Sequence, residues 1–344
     1  MSGRFLRDPV RSRRKTYFVI GGFVLAQILL IVGIAFACSS IMLHRFNAQQ
    51  SPQTEATEPV ITSRDYLNIL LVGQSSRSGA TERTADTIVL CTINTREKTV
   101  TLTSVLRDTL ILKPGVYTTS AGTEKTWSGG TIQDIYHTAY TWDSVGGAMA
   151  VLDLTLYNNF GIQVDHNVEI NFDAFVQLVE LLGGIELDFT AAEAEYMHTD
   201  GKVWQWPEPG KFLSDGYTAL AYARMCNAEG DEGSDIKRTE RQRKVVNAIL
   251  EKMKTMDIAT LQSILEKILP YITTSMSNSQ ISDTIALLLP MMDELTIKTG
   301  GTCPSAYWHN VRDINKDGKL ENVLEFDAAV ETKRMRELTL GETP

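Results

Sequence analysis

The sequence predicts an α/β domain behind one membrane-spanning helix. Three observations predict it. Tyr17 to Leu43 holds no charged residue. Residues 164–189 read as strand, ten-residue helix, double-glycine stop and strand, the alternation of α/β folds. Tyr66 to Val72, Thr87 to Asn94 and Thr99 to Val105 read as buried strands, the last two joined as a hairpin across Thr95–Lys98.

At about 1.5 Å per residue the uncharged run exceeds a hydrocarbon core of about 30 Å, and it is too long for a signal-peptide core of about 15 residues. A lipoprotein signal ending at Cys38 would place bulky Phe36 where a small residue is usual. Arg4, Arg7, Arg11, Arg13, Arg14 and Lys15 precede the run, opposed by Asp8, so residues 1–16 carry +5. The positive-inside rule makes 1–16 a cytoplasmic tail, 17–43 a transmembrane helix, and everything beyond about residue 44 extracytoplasmic. Residues 44–64 are a polar linker with Pro52 and Pro59. Residues 65–344 form the domain, with a core over 65–255 and C-terminal helices and a hairpin over 256–344. The chain of 344 residues has net charge −9, so the part after the tail carries −14 and argues against nucleic acid as a partner.

Further along, Ile135 to Phe160 reads as a helix stopped by Gly161, Val164 to Asn171 as a strand, Asp173 to Leu182 as a helix and Ile185 to Phe189 as a strand. Trp204 and Trp206 are expected to cover the core. A helix capped by Ser214 runs from Asp215 to Met225, with Arg224 at its end. Asp257–Leu269 and Ser279–Leu289 are helices ended by Pro270 and Pro290. Thr302 to Phe326 closes the domain as a hairpin. Asp313, Asn315 and Asp317 imitate a calcium loop, but its twelfth position is Leu324, so a solvated turn is expected. Cys38, Cys91, Cys226 and Cys303 follow no metal spacing, and His137 and His166 have no ligand spacing either. A Cys226–Cys303 bridge stays open.

The helix from Asp235 onward, capped by Ser234 or Asp235, organises the rest. Val245, Val246, Ile249 and Met253 fall on one face, Glu240, Lys244 and Glu251 opposite. Arg238, Arg241 and Gln242 fall on the buried stripe. Buried arginines require partners, and a helix N-terminus adds positive potential. Two readings stand: a polyoxygenated anion such as phosphate, or internal carboxylates. Arg83, Asp86, Arg107 and Asp108 lie at loop or strand-end positions, where sheets display chemistry.

These segments together resemble the LytR-CpsA-Psr family from about Tyr66 to Leu250. The carrying stretches are NILLVGQSSRSG, ERTADTIVL, TLTSVLRDTL, VDHNVEINFDAFVQLVELLGGIEL and, most specific, ALAYAR followed by DIKRTERQR. The resemblance implies a central mixed β-sheet flanked by helices. It implies a membrane-anchored extracytoplasmic phosphotransferase that moves a glycopolymer from a polyprenyl (pyro)phosphate carrier to peptidoglycan. By the family's pattern Arg107, Asp108, Arg224 and Arg238 are catalytic, Arg83, Arg241 and Gln242 bind substrate, and Asp86 holds Mg2+. The chain departs from that pattern at Ser75, where a second metal-binding Asp is usual, and at Cys226, where another Arg is usual. Those departures keep two alternatives in view: a non-catalytic or regulatory polyprenyl-phosphate-binding protein, and a polyprenyl-diphosphate hydrolase. An apolar slot for the lipid is expected between helices and sheet, without assigned residues.

Overall fold

The computed structural model describes residues 65–342 except 75–83, 128, 200–204, 226–233, 257–259, 261–262, 265–266, 278–279, 281–293 and 313–320. The expected transmembrane helix over 17–43, and with it the tail and linker, lies outside the described residues; among those described, no helix is long and apolar enough to cross a membrane.

Six strands form the central sheet: β1 (Tyr66–Gln74), β2 (Ala85–Asn94), β3 (Thr99–Val105), β8 (His166–Asn171), β11 (Ile272–Thr274) and β12 (Thr296–Cys303). Their order is β11-β8-β1-β2-β3-β12. β2 runs antiparallel to β1 and β3, while β8 is parallel to β1 and β12 to β3, so the sheet is mixed. The continuous apolar runs of β1 and β2 follow from burial on both faces.

One face carries α1 (Ile132–Phe160) and α6 (Ala328–Leu340), packed on Leu70, Val72, Ile88 and Leu90 through Met149, Leu152, Leu156 and Met335. The opposite face receives Leu250 of α5 (Ser234–Lys254) on Ile69, Val89, Cys91 and Val100. α5 also joins a second apolar cluster, with Val245, Ile249 and Met253 against α2 (Phe172–Leu181), β9 (Ile185–Phe189), α3 (Ala191–Thr199) and α4 (Gly216–Arg224). β10 (Gly210–Ser214) pairs with β9. Four short strands, β4 (Leu110–Ile111), β5 (Gly115–Thr118), β6 (Glu124–Trp127) and β7 (Gly130–Thr131), pair β4 with β7 and β5 with β6. The hairpin β13 (Trp308–Arg312) and β14 (Glu321–Glu325) precedes α6.

Several expectations are corrected. Residues 113–130, between the expected third strand and the first expected helix, hold β5, β6 and part of β7; strands this short show no periodicity. α1 begins at Ile132, because Thr131 and Asp134 form a capping box. It breaks at Asp143–Ser144, where the Asp143 carboxylate accepts from Tyr117 Oη at 2.7 Å and from Ser120 Oγ at 2.6 Å. Asp215, not Ser214, caps α4, accepting from Thr218 N at 2.7 Å. Thr302 and Cys303 belong to β12 rather than the closing hairpin, whose strands are Trp308–Arg312 and Glu321–Glu325. Trp206 is 68% exposed and does not cover the core. The Cys303 thiol is buried without a disulfide; Cys226, Trp204, the 313–317 turn and most of the helix over 279–289 lie outside the described residues. The last helix is tied to the first strand: buried Asn68 Nδ2 donates to Thr339 O at 3.0 Å.

Candidate functional site

β1, β3 and β8 run in one direction, so their C-terminal ends share an edge of the sheet, where α/β folds open ligand crevices. A cavity of about 330 Å³ lies there, between the sheet end and α2, α4 and α5. Leu71, Val72 and Gly73 reach it from β1, Val168, Ile170 and Asn171 from β8, and Asp86 and Thr87 from the start of β2. The β1–β2 register shifts at Gly73/Gln74. Such an irregularity re-aims the side chains beside it, here Asp86. Gly73 admits no larger residue without a shift, since a Cβ there would stand 2.9 Å from Thr87 Cβ.

The rim is polar and the depth apolar. Arg107, two residues past β3, directs Nη1 to Asp86 Oδ1 at 2.5 Å, and its Nε stands 3.6 Å from Asp108 Oδ1. Backbone contacts fix this corner, with Gln133 N donating to Arg107 O at 3.0 Å and Leu324 N to Asp108 O at 3.0 Å. Arg224, ending α4, lies over the Phe172 ring, 4.7 Å from its centroid; the cation and the ring face attract. Arg238 and Gln242, one turn apart on α5, both line the cavity and both are buried. Gln242 Nε2 reaches Asp86 O at 3.5 Å. Behind this rim stand Phe175, Leu178, Leu220, Val245, Val246 and Ile249. This is the apolar slot that sequence could not assign.

The structure thus brings Asp86, Arg107, Arg224, Arg238 and Gln242 to one cavity, with Asp108 behind Arg107. Arg83 and Ser75 lie outside the described residues. Arg241 is a correction to the expected cradle. Its Nε pairs with buried Glu193 Oε1 at 2.8 Å and its Nη1 donates to Met225 O at 2.9 Å, away from the cavity. The internal-carboxylate reading therefore holds for Arg241. Against the opposing effect of burial, the Thr190 amide, then Arg241 and the Lys244 charge, draw the Glu193 carboxyl below its usual range. Sequence reading also passed over Arg243, which is buried and donates from Nη1 to Ser104 Oγ at 2.7 Å and Gly301 O at 3.2 Å. An arginine between Gln242 and Lys244 on an amphipathic helix gives no sign of which neighbour it serves.

Cations on the rim over an apolar slot suit an amphiphile with an anionic head. The LytR_cpsA_psr family model matches residues 37–315. The chain belongs to the LytR-CpsA-Psr family. Among family members, the chain is 33% identical over 193 residues to the polyisoprenyl-teichoic acid–peptidoglycan teichoic acid transferase TagU of Halalkalibacterium halodurans, covering 56% of this chain and 54% of that protein. It is 31% identical over 260 residues to TagU of Bacillus subtilis, covering 72% of this chain and 73% of that one. The fold matches TagT bound to LI-WTA with TM-score 0.57 at 22% identity, over 84% of this chain and 96% of that one.

Proposed function

We propose that this family member is a transferase acting on a polyprenyl diphosphate-linked glycopolymer, which it joins to peptidoglycan from outside a membrane that it spans through residues 17–43. The observation that carries the reading is the shared cavity of Arg107, Arg224, Arg238 and Gln242 above an apolar slot. The names of the TagU relatives point the same way.

The physical logic is charge placement. The diphosphate sits against the arginines, and the isoprenoid descends between α2 and α5. An acceptor hydroxyl oxygen attacks the phosphorus that carries the glycopolymer. The bond from that phosphorus to the bridging oxygen breaks, polyprenyl phosphate leaves, and the hydroxyl proton is taken up by a base. Negative charge grows on the leaving phosphate, where guanidinium groups already fixed in place stabilise it. Asp108 acts by orienting Arg107, which fits its 3.6 Å approach to Nε.

Magnesium is part of the reading. Asp86 is the carboxylate lining the cavity among the described residues, and among those residues no group of three or more metal-binding side chains gathers. One carboxylate completed by waters and substrate phosphates is a set that Mg2+ accepts. Asp86 would hold the ion, which would supply charge neutralisation at the phosphate oxygens.

The test incubates the full chain in detergent with carrier-linked glycan, Mg2+ and peptidoglycan. Polymer on the wall supports the transferase. Polymer left on the carrier indicates a binding protein, and free polymer indicates a hydrolase.

A further inference from the structure

A second concavity, about 470 Å³, lies beside the closing hairpin. Leu110, Leu112 and Phe326 give it apolar walls, and Gly129 and Gly130 contribute bare backbone. Trp308 stands on its rim, 51% exposed although it belongs to a paired strand. The indole is not loose. Its Nε1 donates to Glu325 Oε2 at 2.9 Å, while Arg312 Nε donates to Glu325 Oε1 at 2.6 Å. One carboxylate thus orients both an aromatic ring and a guanidinium. The Arg312 bond holds the Glu325 carboxyl below its usual range, so it is ionised at neutral pH.

We infer that this groove is a saccharide subsite that takes an N-acetylated pyranose of the acceptor peptidoglycan strand, a role that rests on the transferase reading above. An open indole face attracts the polarised C–H edge of a sugar ring. The paired guanidinium and carboxylate offer donors and acceptors to ring hydroxyls, and the apolar wall suits an acetyl methyl. The charge balance selects the source. Arg312 is neutralised by Glu325 within the groove, so nothing there favours a polyanionic phosphate polymer, whereas the uncharged N-acetylglucosamine ring of the strand meets no penalty.

Position supports the same occupant. Arg107 lines the catalytic cavity and Leu110 lines the groove, three residues apart. Extended backbone of that length spans at most about 11 Å, within reach of a short run of sugars. The hairpin is bonded to the same segment through Leu324 N to Asp108 O at 3.0 Å and the bridge between Thr109 and Leu324.

The experiment titrates the full chain in detergent with a soluble tetrasaccharide of alternating N-acetylglucosamine and N-acetylmuramic acid, and separately with poly(glycerol phosphate). The parent is expected to bind the tetrasaccharide. Trp308→Ala should weaken it about tenfold, Trp308→Phe should restore most of it, and Glu325→Gln should weaken it less than Trp308→Ala does. In transfer assays Trp308→Ala should raise KM for the wall acceptor and leave binding of a polyprenyl-diphosphate analogue unchanged. Equal tetrasaccharide binding by parent and Trp308→Ala, no binding by the parent, or tighter binding of poly(glycerol phosphate) would each overturn the inference. If the polyprenyl-diphosphate analogue fails to bind the parent, the transferase reading falls; if only the tetrasaccharide fails, the subsite alone falls.

Discussion

Arg107 and Asp86 meet across the gap between β3 and β2, Nη1 to Oδ1 at 2.5 Å, on the polar rim of a cavity whose depth is apolar. The pair holds a cation and an anion side by side where a charged head group would enter. On the proposed function, a substrate phosphate would compete with Asp86 for Arg107, and a bound cation would compete with Arg107 for Asp86. The two ligands would therefore reinforce each other, since each would take over one member of the pair.

Binding of a polyprenyl-diphosphate analogue should be strengthened by Mg2+ in the parent and made nearly independent of Mg2+ in Asp86→Asn. Titration calorimetry with and without Mg2+ checks this. A variant that keeps the full response removes Asp86 from the ion's site.

Arg238→Ala and Arg224→Ala should each lower the transfer rate by about 10²–10³, the range for losing one preorganised donor. Arg224 is exposed, so its variant should melt within a degree or two of the parent; a large fall in Tm together with the lost rate would point to a packing role instead.

Arg241→Ala should behave differently. It leaves the Glu193 carboxylate buried and unpaired, at a cost of about 3–5 kcal/mol. Urea unfolding should show that loss, and Glu193→Leu with Arg241→Leu should recover much of it. Glu193 titrates below its usual range in the folded state. The pair's contribution is therefore complete above the unfolded carboxyl pKa of about 4.3 and fades as pH falls through the lower folded value.

Asp153 gives the opposite pH signature. Its carboxyl is buried, with Oδ2 accepting from Asn167 Nδ2 at 2.7 Å, and burial pushes its pKa to about 8. The folded state holds this proton where the unfolded chain, titrating near 3.9, has released it. Stability therefore declines as pH rises from about 4 to 8. Asp153→Asn keeps the acceptor without the charge, so its Tm should exceed the parent's at pH 8 and match it near pH 4. An unchanged difference across that range would remove Asp153 as the cause.

Filling the slot separates tail from head. Val246→Trp projects bulk into the cavity from α5 and should weaken a long-chain prenyl diphosphate at least about tenfold while sparing inorganic diphosphate. Parallel inhibition assays with both ligands check it.

How far the sequence carried varies by element. The apolar runs of β1 to β3 and the double glycine after α2 made the sheet and one of its layers readable, because those signals are local. β12 was not readable as a sheet strand. Its stretch TIKTGGTC is only partly buried and holds two glycines, and pairing with β3 comes from almost two hundred residues earlier in the chain. At the site, one helical turn between Arg238 and Gln242 was enough to place them together. The same wheel put Arg241 beside them, because a projection gives an angle and not the neighbour at that angle. Glu193, on a short helix without amphipathic pattern, decided the matter. The slot was unassignable for a similar reason, since its walls are drawn from β1, β8, α2, α4 and α5 at once.

The bond from Asn68 to Thr339 has a consequence for how the protein is made. Its donor belongs to the first strand of the sheet and its acceptor to the final helix. A nascent chain therefore keeps a hole in its interior, with a polar amide facing it, until α6 has been made. Protease sensitivity of ribosome-bound intermediates should persist until α6 emerges and then drop, and removing Ala328–Leu340 should leave a product that is made but never matures.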